Sequence, residues 1–318
     1  MDRRLAGIDI GTLTCRLLIA DVPPTGSLQE RRSDRRVLRL GEGVDQSKRL
    51  KPQAMDRVLE CLCEWRRVID GYHVQARTVV ATSAVRDAEN RQGFVERVKA
   101  ETGFDVEILT GEEEAQRTML GIRAGLPSDI TDVLALDIGG GSTEFICARQ
   151  GQTPLVRSID LGVVRLSERL LLHDPPIREE IEEARAWIRK ETTEAVASMP
   201  PWTGCAFVGT AGTITSLAAM AQQLLSYEPA RIHNYRLAVE TISDLEQQLL
   251  SRSKAARVGM AGLEKNREDV IAAGAVILRT VMDTLDEQVC LVSDFGLREG
   301  VLIELARRTA AVNTHLPL

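Results

Sequence analysis

Apolar positions in the first half of the chain alternate between short runs of strand length and stretches of helical period. "LAGIDI" and "CRLLIAD" read as strands about a short turn, and "RVLRL" as a third. Pro52 then opens a helix through "PQAMDRVLECLCEWRRVI", in which Met55, Val58, Leu59, Leu62 and Ile69 fall at helical spacing. "ARTVVAT" predicts another strand, "GFVERVKAE" a helix, "VEIL" a short strand, and a further helix begins near Gly111. At "DVLALDIGGGSTEFICA" the opening pattern returns as strand, Asp-Ile-Gly turn and strand, with "LVRSIDLGVVRLSERL" as a third extended segment. The acidic helix "REEIEEARAWIRKETTEAV", the strand "GCAFVGT" and further α/β material through "QVCLVSDFG" complete the second half.

That return is an internal repeat. "GIDIGTLTCRLLIAD" and "ALDIGGGSTEFICAR" align Asp9 with Asp137 and Gly11 with Gly139, on allowing a two-residue insertion in the second turn. Two related α/β domains facing each other across a cleft follow, divided near Gly121–Asp132, where "GIRAGLPSD" supplies glycine and proline at a helix end. The expected domains are residues 1–124 and 125–318, with the last helix able to pack back on the first. The length of 318 residues suits two such domains, because single cores stop growing at roughly 250–300 residues.

Composition narrows the function classes. The longest uncharged apolar stretches fall well short of the ~20 residues that a membrane span needs, so no membrane association is expected. The start "MDRRLAGIDIG" runs into a strand without an apolar leader, which reads as cytoplasmic. Cys15, Cys147, Cys205 and Cys290 sit singly in apolar runs, and Cys61 and Cys63 lie in a helical pattern, so reduced, buried thiols are expected. The four histidines are not spaced as metal ligands. A net charge of −6 argues against a nucleic-acid binder, although "RRSDRRVLRL" gathers Arg31, Arg32, Arg35, Arg36 and Arg39. That cluster reads either as a charged edge strand or as a local funnel for a polyanion.

The two turns carry the chemistry. An ordinary hairpin turn needs one or two residues of positive φ; the three consecutive glycines of "LDIGGGSTEF" also leave the backbone bare enough for a ligand to approach it. Successive amides in such a turn form an anion-binding concavity. Gly11 in the first turn and Gly139, Gly140 and Gly141 in the second are therefore candidate phosphate contacts, with hydroxyls from Thr12, Thr14, Ser142 and Thr143. Asp9, Asp137 and Glu144 are hard oxygen donors suited to Mg²⁺. Ser83 and Arg86 follow an apolar strand, and a planar guanidinium suits phosphate oxygens; a pairing of Arg86 with Asp87 or Glu89 is the structural alternative. Gly209, Thr210 and Gly212 make a strand-to-helix glycine turn that either supports a phosphate chain or only packs a helix on a strand. Glu112, Glu113 and Glu114 complement a helix dipole. Lys265 and Arg267 read either as lining a polyphosphate path or, by preference, as solvated surface.

"DIGTLTCRLL" and "DIGGGSTE", together with "ATSAVRDAEN", "TGEEEA", "VGTAGT" and "SDFGLREG", resemble the exopolyphosphatase and guanosine pentaphosphate phosphohydrolase (Ppx/GppA) family, in its short two-domain form. The resemblance covers nearly the whole chain. It implies duplicated actin-like ATPase (ribonuclease H-like) α/β domains with the active site in the interdomain cleft. It also implies Mg²⁺-dependent hydrolysis of a terminal phosphoanhydride, with Glu114 as the base toward water and Asp137 and Arg86 as its catalytic companions. The implied substrate is inorganic polyphosphate or guanosine pentaphosphate, and a homodimer is the implied assembly. An ATP-dependent kinase of the same superfamily and a non-catalytic sensor of these polyanions are the rival readings. Arg298 and Glu299 in "SDFGLREG" read as hinge residues.

Overall fold

The computed structural model describes residues 3–23 and 28–314 of the chain. Its contacts separate two units, Met1–Gly125 joined by Phe295–Leu318, and Leu126–Asp294.

The first unit is built on a five-stranded sheet of order β3-β2-β1-β4-β5. Its strands are β1 (Arg3–Ile10), β2 (Thr14–Val22), β3 (Gln29–Val37), β4 (Ala76–Ala81) and β5 (Val106–Ile108). β1, β2 and β3 form an antiparallel meander, and β4 and β5 add in parallel to β1. The helices are α1 (Val44–Ser47), α2 (Pro52–Gly71), α3 (Ser83–Arg86), α4 (Arg91–Thr102) and α5 (Gly111–Gly125). Side chains alternate across a strand, and β1 divides accordingly. Ala6, Ile8 and Ile10 enter the core with Leu59, Leu62 and Trp65 of α2 and with Phe94 and Val98 of α4. Leu5 faces the other way, into a cluster with Leu18, Ala20, Val22 and Leu302. Leu302 belongs to α13 (Leu297–Thr314), the last helix. That helix covers the second face of the first sheet, and at Gly7 a Cβ would come within 3.1 Å of Leu302. Asp9 lies on this same face by alternation.

Between these segments the second unit repeats the plan. β6 (Val133–Ile138), β7 (Thr143–Ala148), β8 (Leu155–Ile159), β9 (Ala206–Thr210), β10 (Arg236–Ala238) and β11 (Val289–Val292) form a sheet of order β10-β11-β9-β6-β7-β8. With β10 set aside, β8-β7-β6-β9-β11 has the order and the strand directions of β3-β2-β1-β4-β5. This is the duplicated actin-like α/β plan that the family resemblance implies. Around it stand α6 (Val163–Arg169), α7 (Arg178–Val196), α8 (Ala211–Ala221), α9 (Pro229–Ile232), α10 (Val239–Leu250), α11 (Lys254–Arg257) and α12 (Ile271–Leu285).

Two segments differ from the sequence expectation. The third strand is Gln29–Val37, earlier than "RVLRL", and so it contains Arg31, Arg32, Arg35 and Arg36, with Arg39 beyond its end. It is an edge strand held by its ladder to β2, which requires no apolar run. The supposed extended segment "LVRSIDLGVVRLSERL" is strand only through Ile159 and becomes α6 from Val163. Its valines and leucines suit a buried strand or a buried helix equally by pattern.

Candidate active site

The two hairpin turns have the same length. Ile10 pairs with Cys15 and Ile138 with Thr143. Gly11 N–H donates to the Thr14 carbonyl and Gly139 N–H to the Ser142 carbonyl, each at 3.0 Å. The repeat therefore aligns without the expected insertion, setting Thr12 against Gly140, Leu13 against Gly141 and Arg16 against Glu144. None of Gly139, Gly140 and Gly141 has a left-handed φ, so positive φ is not what requires them. Close approach is. A Cβ on Gly162 would lie 2.4 Å from the carbonyl carbon and oxygen of Gly140 and 2.5 Å from the Gly141 nitrogen, so the chain before α6 rests directly on the bare turn. The first turn is braced in the same way, with Gly41 N–H donating to the Thr12 carbonyl at 2.8 Å.

Asp9, Thr12, Thr14, Asp137, Ser142, Thr143 and Glu144 are all buried. The register sets Asp9 opposite Arg16 and Asp137 opposite Glu144. Opposed residues on antiparallel strands share a face, so the two carboxylates stand side by side. Ser158 Oγ donates to Glu144 Oε1 at 2.8 Å. This donor set suits a hard divalent ion that keeps several waters, as Mg²⁺ does. Among the described residues no three His, Cys, Asp or Glu side chains gather into a complete metal cage. Thr143 departs from its expected role as a phosphate donor, because its hydroxyl donates to the Leu161 carbonyl at 2.5 Å.

In the first unit, two of the expected catalytic residues meet. Arg86 ends α3 and Glu114 lies in the first turn of α5. Arg86 Nη1 donates to the Leu109 carbonyl at 2.9 Å and to Glu114 Oε2 at 3.1 Å. Arg86 is also 3.9 Å from Asp87, the structural alternative, but its close pair is with Glu114. Ser83, at the start of α3, is buried, and its hydroxyl has no hydrogen-bond partner among the described residues.

The three adjacent glutamates separate by role. Thr110 N–H donates to Glu113 Oε2 at 2.8 Å and Glu113 N–H donates to Thr110 Oγ1 at 3.2 Å, a reciprocal capping box at the start of α5. Glu112 accepts from Gln116 on the exposed side. The backbone N–H of Thr110, and next its hydroxyl, hold the Glu113 carboxyl below its usual range. A lowered carboxylate pKa contributes stability that is fully present above the unfolded value of about 4.3 and is lost as pH falls through the folded value. Glu113→Ala is therefore expected to lower stability by about 1 kcal/mol at pH 7. Its melting-temperature difference from the parent should shrink below pH 4. A difference that stays constant down to pH 3 would exclude the capping role.

The glycine turn of the second unit holds a feature that sequence reasoning missed. The left-handed residue there is Ala211, at φ 71°, and neither Gly209 nor Gly212. Gly209 is needed because a Cβ would meet Cys290 Sγ at 2.5 Å, and Gly212 because it would meet the Arg267 guanidinium at 2.3 Å. Arg267 is thus buried, not solvated as expected; it pairs with Glu264 at 2.5 Å, while Lys265 is exposed. Thr210 stands beside Asp137 in the ladder. An alanine in a left-handed conformation gives no signal in a sequence, whereas the glycine spacing around it does.

Other expectations resolve locally. Arg31 pairs with Asp21 at 2.7 Å and Arg36 with Glu64 at 2.6 Å, so both belong to an ion-paired edge strand. Arg298 pairs with Glu299 at 2.6 Å, and Glu299 accepts the Gly296 N–H at 2.9 Å. All six cysteines are free, and burial pushes the Cys290 thiol up to about 12. No described helix is long and apolar enough to cross a membrane.

Comparison with known proteins agrees with this geometry. The Ppx/GppA phosphatase family model matches residues 19–309. Exopolyphosphatase 2 of Mycobacterium tuberculosis is 34% identical over 315 residues, covering 95% of this chain and 98% of that protein. The crystal structure of the Aquifex aeolicus Ppx/GppA family member superposes with a TM-score of 0.82 at 32% identity, over 97% of this chain and 99% of that one. An exopolyphosphatase from Cytophaga hutchinsonii gives a TM-score of 0.86 at 28% identity, over 95% and 97%. With a matched model over most of its length and relatives of the same size and fold, the chain belongs to the Ppx/GppA phosphatase family.

Proposed function

We propose that this protein is an exopolyphosphatase that releases terminal orthophosphate from inorganic polyphosphate in the presence of Mg²⁺. The observation that carries the reading is the Arg86–Glu114 pair, a buried carboxylate held at a helix start by a guanidinium at 3.1 Å. Hydrolysis of a phosphoanhydride needs an oriented water, positive charge on the transferring phosphoryl group and little covalent help. Glu114 acts as the base toward that water. Arg86 binds phosphoryl oxygens and orients Glu114, and the Ser83 hydroxyl donates to the same oxygens. Amides of the Gly139–Ser142 turn cradle phosphate oxygens in the second unit, and Gly11, Thr12 and Thr14 form the corresponding phosphate-binding turn of the first unit. Gly209, Thr210 and Gly212 form the neighbouring turn of the second unit and are further candidate phosphate contacts, Thr210 standing beside Asp137.

Asp137 and Glu144 fit Mg²⁺ as opposed carboxylates, and Asp9 is the corresponding acid of the first turn. When bound, the ion neutralises phosphate charge and polarises the bond that breaks. The similarity to proteins named exopolyphosphatase supports polyphosphate as the substrate.

The test is orthophosphate release from polyphosphates of defined length, guanosine pentaphosphate and ATP, each with Mg²⁺ and with excess EDTA. Release from polyphosphate is expected to stop with EDTA and to return with Mg²⁺. Release from guanosine pentaphosphate alone would transfer the activity to that nucleotide, and phosphoryl transfer from ATP to an alcohol would replace hydrolysis with a kinase reaction.

A further inference from the structure

Three glycines in a row permit peptide planes to flip, so a cradle made from them needs something to orient it. The carbonyl side of the turn supplies this. Val163 N–H donates to the Gly139 carbonyl at 3.1 Å and Val164 N–H to the Gly140 carbonyl at 2.8 Å. Arg165 Nε–H donates to the Gly141 carbonyl at 2.9 Å. Three successive carbonyls are thus drawn toward the start of α6. In a planar trans peptide the following N–H points opposite to the C=O. The amides of Gly140, Gly141 and Ser142 therefore point together away from α6, and none of the three donates a hydrogen bond to another backbone group among the described residues.

The first turn shows what is particular to Arg165. At the position matching Gly141, the Leu13 carbonyl accepts from the backbone amides of Leu38 and Arg39 at 3.0 and 2.9 Å. In the second turn a side-chain guanidinium does that work. Arg165 is only 5% exposed, and Asp160, with which it forms an ion pair at 3.6 Å, is 76% exposed. Burying a guanidinium carries a desolvation penalty that a neutral donor would avoid. At the Gly141 carbonyl the charge adds a polarised Gly141–Ser142 peptide and positive potential directly behind three anion-facing amides.

We infer that Arg165 is a positioning residue for phosphate binding: it locks the Gly141–Ser142 peptide so that the Gly140, Gly141 and Ser142 amides converge on one phosphate group. The inference rests on reading this turn as the phosphate cradle. Its test uses full-length protein labelled with ¹⁵N-glycine and titrated with pyrophosphate. In the parent protein the Gly140 and Gly141 amide resonances shift on titration. In Arg165→Met those shifts are lost and pyrophosphate binding weakens by roughly 10–100-fold, the range in which supporting hydrogen bonds act on a site. Arg165→Lys, which keeps a charged donor, recovers most of the loss. If the Met variant does not fold, Arg165→Gln is measured against the same criterion.

A merely structural role would lower the melting temperature and leave pyrophosphate affinity and the glycine shifts of the folded variant at parental values, which would overturn the inference. Parental glycine amides that ignore pyrophosphate would remove the cradle reading and this inference with it. Parental shifts retained in the Met variant would remove the inference alone.

Discussion

Glu114→Gln is expected to lower turnover on polyphosphate by about 10²–10⁴, the usual contribution of general-base assistance, with substrate affinity nearly unchanged. The amide is isosteric with the carboxylate and still offers an oxygen to Arg86 Nη1, which in the parent donates to Glu114 Oε2 at 3.1 Å. The geometry of α3 and α5 therefore survives the change. What is lost is the capacity to take a proton from water. A fall in kcat without a matching rise in KM is the signature of an interaction made in the transition state. Glu113→Ala separates the neighbouring acids, since Glu113 closes the capping box with Thr110 and should affect melting more than kcat. Undiminished phosphate release from Glu114→Gln would remove the base assignment.

The division among Glu112, Glu113 and Glu114 marks where sequence reading succeeds and where it stops. "TGEEEA" identified a helix start and a carboxylate cluster, because both depend on local chemistry. That Glu113 reaches back to Thr110 while Glu114 meets Arg86, 28 residues away in the chain, depends on how α3 and α5 pack. The strand-turn-strand repeat was legible for the same local reason: buried β1 and β6 are continuous apolar runs ending in an acid and a glycine. Its register was not, since matching apolar residues introduced an insertion where the ladders show equal turns. The helical state of 163–169 was hidden because Val163 and Val164 also suit a strand. Their amides are instead taken by carbonyls of a turn more than 20 residues earlier. Edge strand β3 was placed late because its residues are chiefly charged, and pairing with β2, not burial, makes it a strand. The packing of α13 on the first sheet matches the reading of the last helix as able to return to the first domain, although its exact residues depend on tertiary packing that no local pattern reports.

Gly300→Ala is expected to produce the largest loss of stability, about 3–5 kcal/mol. α5 and α13 cross backbone to backbone. A Cβ on Gly300 would lie 1.7 Å from the Arg117 carbonyl oxygen, and one on Gly121 would lie 1.9 Å from the Gly296 carbonyl oxygen. Neither obstacle is a side chain that can change rotamer, so the helices must move apart by roughly 1.5 Å to restore ordinary contact. That movement would also reach Arg117. Its buried guanidinium bridges Glu107 of β5, at 2.6 Å, and Glu304 of α13. Loss of a partner to a buried charge costs about 3–5 kcal/mol, against about 1–3 kcal/mol for overpacking alone. At roughly 2–4 °C per kcal/mol the melting temperature should fall by about 6–20 °C. Gly93→Ala is the internal comparison: that glycine lies within α4 with nothing within 4 Å of an added Cβ, and the substitution should stabilise by about 0.5–1 kcal/mol. If Gly300→Ala melted no lower than Gly93→Ala, the α5–α13 crossing would not be the tight backbone contact described. Glu114 would then owe its position to the Thr110 cap and Arg86 alone.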